Sequence, residues 1–176
     1  MQKVIVAFLL CLILTPSFGQ VRKKITTYLL TQLNTTLSDN TKGNNPWGVG
    51  LGLQTFFNNK TKFSPCIELT GDIYLADDKV LRTDNSGTPF NDVRSMVNLF
   101  AGSSYHPAKN LSVSVVVGPS FISGQTLFGI KPSLAVYLPA SPRWTATISY
   151  IHIFNRGNII KKDFSSLSVA VGLRLF

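Results

Sequence analysis

Between Leu111 and Ile122 the side chains alternate: Leu111, Val113, Val115 and Val117 fall on one side of an extended chain, Ser112 and Ser114 on the other. A period of two is the mark of a β-strand with one apolar and one polar face, and it recurs. Trp47, Val49, Leu51, Leu53, Thr55 and Phe57 share a face opposite Gly48, Gly50, Gly52, Gln54 and Phe56. Leu167, Val169, Val171, Leu173 and Leu175 do the same near the end. Runs rich in β-branched, aromatic and hydroxyl side chains, broken by Gly, Asn, Asp and Pro, predict eight strands. Their expected spans are Ile25–Thr36, Trp47–Asn58, Ser64–Tyr74, Arg94–His106, Leu111–Ile122, Leu127–Leu138, Trp144–Phe154 and Ser166–Phe176. No comparable run has helical spacing. An even count lets the last strand pair with the first, so the expected fold is an all-β, antiparallel, up-and-down barrel.

The beginning of the chain implies export. Met1 to Lys3 form a short basic start, Val4 to Leu14 an apolar run interrupted only by Cys11, and Ser17-Phe18-Gly19 a small-residue cleavage pattern. Residues 1–19 are therefore expected to be a signal peptide and 20–176 the barrel domain. Cys11 does not fit a lipoprotein signal, because Leu10 stands before it and apolar core follows. Nothing after Gly19 approaches the roughly 18 apolar residues of a membrane-crossing helix. The exported chain keeps one cysteine, Cys66, and two histidines, His106 and His152. That excludes an internal disulfide and gives no metal-ligand spacing. No cofactor is expected: Gly48, Gly50 and Gly52 lie inside a strand, not at the phosphate-binding turn before a helix.

Alternating strands fit two barrels. A soluble one turns its apolar face inward; a membrane one turns it toward lipid. Three features favour lipid. The first, third and seventh connections (about 37–46, 75–93 and 155–165) are long and polar, while the second, fourth and sixth are short, as in membrane barrels with short periplasmic turns. Only the fifth, around Ser123–Thr126, departs from that parity. On the apolar face, Phe57, Tyr105 and Trp144 sit at the short-turn ends and Trp47, Phe121, Phe128 and Phe154 at the long-loop ends, giving two aromatic girdles. On the polar face, Glu68, Asp72, Arg94, Lys131 and Arg174 are placed to pair inside a narrow lumen. Turned outward, each Lys or Arg near the midplane would cost about 2–4 kcal/mol.

The net charge of +9 becomes +8 on losing Lys3. Such an excess raises the question of nucleic acid, but an exported barrel excludes that partner. Arg22, Lys23, Lys24, Lys60, Lys62, Lys109 and Arg143 are expected at the periplasmic rim, facing anionic lipid headgroups.

With its final alternating strand, Ser166–Phe176, the mature chain resembles the small outer-membrane β-barrel proteins of Gram-negative bacteria over its whole length. The resemblance implies an outer-membrane location, outer-membrane lipids as surroundings, and insertion by the barrel-assembly machinery, which reads a terminal aromatic residue, here Phe176. The match is imperfect: the apolar series Leu173, Leu175 puts Phe176 on the parity of Arg174.

An eight-stranded barrel is filled by its own side chains, so a wide pore is not expected. The expected function is a non-enzymatic structural or surface-interaction role with no identifiable surface ligand. The connection 75–93 is the natural place for binding, although Asp77-Asp78 and Asp84-Asn85-Ser86-Gly87 match no calcium loop. Two alternatives stay open: a lipid A-modifying hydrolase, and a soluble periplasmic barrel binding a small apolar ligand. The hydrolase reading rests on Tyr150-Ile-His152-Ile-Phe154-Asn155, similar to the His-x-Ser-Asn motif of the outer-membrane lipid A deacylases. Their exterior His and Ser act with an acidic residue. His152 and Asn155 match and Asp163 is the nearby acid, but Phe154 occupies the nucleophile's place and cannot attack an ester. Without that serine the catalytic carry-over fails, and His152 fits better as an amphipathic ring at headgroup level in the aromatic girdle.

Overall fold

The computed structural model describes residues 25–37, 45–58, 61–75, 93–122, 124–138, 141, 143–154 and 163–176. The expected signal peptide and most of the connection 75–93 lie outside them. Eight strands form: β1 (Ile25–Thr36), β2 (Trp47–Phe57), β3 (Phe63–Tyr74), β4 (Ser95–Ala108), β5 (Leu111–Ile122), β6 (Gln125–Tyr137), β7 (Trp144–Phe154) and β8 (Phe164–Arg174). Neighbours in sequence pair antiparallel, and β1 pairs with β8 to close the barrel. Closure removes the two open edges that a sheet would otherwise present.

The departures from expectation lie at strand ends. The β5–β6 turn is tighter than alternation alone suggests: Ile122 stands opposite Gln125, and Gly124 takes a φ of 79°. A two-residue hairpin demands such a positive φ, which glycine adopts without strain. β4 runs on to Ala108 past an irregularity between Tyr105 and Ala108. Pro132 stays within β6, and the β6–β7 ladder passes from Ile130–His152 to Ser133–Ser149 without pairing Lys131 or Pro132. A residue with no N–H cannot serve the ladder there.

Polarity settles the orientation. Val49, Leu51 and Leu53 are 50%, 61% and 41% exposed, while Gln32, Asn34, Gln54 and Asn98 are buried. The same holds around the ring, with Val97, Val115, Ile148, Val169 and Val171 outward and Ser114, Thr147, Ser149 and Ser168 inward. Each large apolar side chain gains about 1.5–3 kcal/mol on leaving water, so this wall is at home only in hydrocarbon. A soluble barrel needs the reverse polarity, and that alternative is overturned. The strands, 11 to 14 residues long, suffice to cross a bilayer.

Candidate functional site

Inside the barrel the sequence-predicted charges separate into two groups. Glu68 and Asp72 on β3 and Lys131 on β6 are fully enclosed. Lys131 Nζ reaches across the lumen to Glu68 Oε1 at 2.5 Å, and Gln54 Nε2 donates to Glu68 Oε2 at 2.8 Å. Asp72 is held by neutral amides: Gln32 Nε2 and Asn34 Nδ2 (2.7 Å) donate to Oδ1, and Asn98 Nδ2 to Oδ2 at 3.1 Å. Carboxyl groups enclosed this fully need hydrogen-bond donors to offset the loss of water. Gly50 supplies the room, since a Cβ there would run into Asp72 and Gln32. Its neighbours Gly48 and Gly52 lie under Tyr74 and Thr70, and Tyr28 stands opposite Gln54.

Arg94 does not join this group. It precedes β4, which begins at Ser95, and it is exposed. Arg174 is half-buried at the opposite mouth, where it lines an open cavity of about 320 Å³ with Tyr28, Phe56, His106, Lys109 and Tyr137. Above and below the charged layer, aromatic and apolar side chains pack inside the barrel. Tyr28 packs edge-on to Phe56 at 6.1 Å and against Tyr137 at 5.8 Å on the short-turn side. Tyr74 meets Phe164 at 5.3 Å on the other, beside buried Met96, Phe100 and Ile153.

The outward aromatics form two belts. Trp47, Phe121, Phe128 and Phe154 stand exposed at the end bearing the long connections, and Phe57, Tyr105 and Trp144 at the other. Phe63 joins the second belt, 4.9 Å from Tyr105; a strand drawn from Ser64 misses it. Phe176 is exposed beyond β8, its carbonyl accepting from Thr27 N at 3.3 Å.

The outer wall of β7 and β8 carries a polar cluster that no linear motif contains. His152 on β7 is the cross-strand partner of Ser165 on β8. Ser165 Oγ lies 2.9 Å from His152 Nδ1, Tyr150 Oη donates to Ser165 Oγ at 3.0 Å, and Asp163 Oδ2 stands 3.5 Å from His152 Nε2. Phe154 packs edge-on to His152 at 4.6 Å and stacks on Phe128 at 6.2 Å, so the cluster sits inside the aromatic belt. Reading along β7 for a serine two residues from His152 finds only Phe154. The signal that finds Ser165 is register: two outward positions, on adjacent strands, paired across the ladder. Asn155 lies outside the described residues.

No protein-family model matches the chain, and no curated protein matches its sequence. Solved structures do resemble it. Neisserial surface protein A aligns with a TM-score of 0.55 at 11% identity, over 85% of this chain and 96% of that one. Ail, the attachment invasion locus protein of Yersinia pestis, gives 0.53 at 11% over 86% and 97%. The N-terminal β-barrel domain of Pseudomonas aeruginosa OprF gives 0.53 at 13% over 85% and 97%. At such identities the likeness is one of fold.

Proposed function

Taking the chain as a small eight-stranded barrel of the bacterial outer membrane, we propose that it is a structural or surface-interaction module acting through its outward face and not as a conduit. The packed interior supports this reading: the Glu68–Lys131 bridge spans it, with aromatic pairs packed on both sides. Two of the similar structures bear the names of a surface protein and an attachment locus protein, which agrees with work done at the surface. A signal peptide over residues 1–19 delivers the chain, and Phe176 presents its aromatic end to the assembly machinery. Lys62, Lys109 and Arg143, exposed at the short-turn rim, face anionic headgroups; Arg22, Lys23, Lys24 and Lys60 lie outside the described residues. The connection 75–93, also largely outside them, is where a partner would bind. The β7 motif, with Phe154 in the serine's place, is given no catalysis in this reading.

Reconstitution into planar bilayers and vesicles tests it. The folded protein is expected to shift in gel mobility on boiling, and to give neither steady conductance nor sugar-driven swelling. A stable open level in the wild type would overturn the closed lumen. Complete extraction without detergent would overturn the membrane assignment.

A further inference from the structure

We infer that the outward wall at the extracellular rim is an acyl-transfer site, with Ser165 as nucleophile, His152 as general base, Asp163 as its orienting acid and Tyr150 as oxyanion donor. Its substrate class is a lipid of the outer leaflet bearing an ester-linked acyl chain. The inference rests on the membrane placement proposed above and not on the surface-interaction role.

The hydrogen-bond directions are mutually consistent. Tyr150 Oη–H donates to Ser165 Oγ. The serine's own hydrogen is then directed at His152 Nδ1, 2.9 Å away, a nitrogen that Tyr150 Oη also approaches at 3.4 Å. A ring that accepts at Nδ1 carries its hydrogen on Nε2, which faces Asp163 Oδ2 at 3.5 Å. Nucleophile, base and orienter thus stand in the order that serine hydrolysis needs, and such a constellation is recognised by geometry and roles, not by sequence order. The register keeps it in place, because His152 and Ser165 are directly paired on strands of a closed barrel.

Location selects the substrate. The side chains of His152 and Asp163 are 22% and 53% exposed, so the site opens outward rather than into the packed lumen. Toward the midplane the same two strands present Leu167, Ile148, Val169 and Val171, all exposed and apolar. An acyl chain lies along that strip with its ester at the level of Ser165, where hydrocarbon gives way to headgroup. A water-soluble ester has no comparable strip to bury against.

His152 Nδ1 takes the proton of Ser165 Oγ as Oγ attacks the ester carbonyl carbon, and Tyr150 Oη–H donates to the oxygen that becomes negative. Collapse breaks the bond from that carbon to the lipid's alkoxy oxygen, which leaves with the proton returned by the imidazolium. Asp163 stabilises the ring while it is charged. Water then attacks the acyl-serine, its proton going to His152 and on to Ser165 Oγ, releasing a fatty acid. The lipid is left with one acyl chain fewer.

The competing account is a girdle cluster that satisfies its own hydrogen bonds at the interface and does no chemistry. To separate the two, the full chain is folded into vesicles of phosphatidylglycerol and, in a second arm, vesicles carrying an acylated disaccharide lipid. Free fatty acid and deacylated lipid are followed by mass spectrometry. Release in one arm names the headgroup class. Wild type is expected to turn over at least one lipid, with Ser165→Ala and His152→Phe each slower by about 10³-fold or more. A long-chain fluorophosphonate is expected to add covalently at Ser165 in wild type and at no site in Ser165→Ala. Boiling-dependent gel shifts confirm that the variants are folded. No lipid turnover above Ser165→Ala in either arm, with Ser165 unlabelled in folded protein, would overturn the inference while leaving the barrel reading intact. Failure of wild type to insert into vesicles would overturn both.

Discussion

Replacing Lys131 with methionine removes the cation from the centre of the lumen while keeping most of its volume. The variant leaves the Glu68 carboxyl group enclosed, with the Gln54 amide still donating to it and Asp72 on the same strand face. Breaking a buried pair by deleting one partner costs about 3–5 kcal/mol, because the other charge stays desolvated and unpaired. At about 1.36 kcal/mol per tenfold, the unfolding equilibrium shifts by roughly 10² to 10⁴. Removing both charges in Glu68→Leu/Lys131→Met should recover most of that loss, since an apolar replacement of similar volume is often neutral or stabilising. The assay is reversible urea unfolding in phospholipid vesicles, read by the fluorescence of Trp47 and Trp144, both on the lipid-facing wall. A Lys131→Met loss below about 1 kcal/mol, or a double variant as unstable as the single one, would refute the claim that a paired charge closes this lumen.

Two further outcomes follow from the same geometry. Gly50→Val places methyl groups where Asp72 and Gln32 now lie, so it should destabilise the barrel by about 1–3 kcal/mol through overpacking; unchanged urea unfolding would show that the lumen is looser than described. Ile148→Arg on the mid-wall should cost about 2–4 kcal/mol and Trp144→Arg at the belt only about 0–1 kcal/mol, since Ile148 is 57% exposed deep on β7 while Trp144 begins that strand. Equal costs in vesicle unfolding would mean that the wall does not cross hydrocarbon at that height.

The strands themselves were legible because alternation is a local property. β1, β5 and β7 have the ends that their patterns predict, since Thr36, Ile122 and Phe154 are each followed by residues that break the run. Strand ends were less so: β6 starts earlier than its apolar run because the Gly124 turn, and not hydrophobicity, sets its beginning. Of the charges predicted to meet inside, Glu68, Asp72 and Lys131 are buried together, while Arg94 is exposed ahead of β4 and Arg174 sits at the opposite mouth. Parity names the face a side chain takes, but it does not tell how far along the barrel axis that side chain falls.

What the amino-acid sequence determined by itself was the period, and with it eight strands that each carry one polar and one apolar face. Whether the apolar face met lipid or a core was already weighted by loop lengths and aromatic ends, and exposure in the folded wall decided it. What only the tertiary structure decided was partnership. Lys131 meets Glu68 across a lumen that exists only once β1 has closed on β8. His152 meets Ser165 because the β7–β8 ladder sets those two residues opposite each other. Strand register is fixed by the whole ladder, so a nucleophile supplied from the next strand cannot be read from the strand that carries its base.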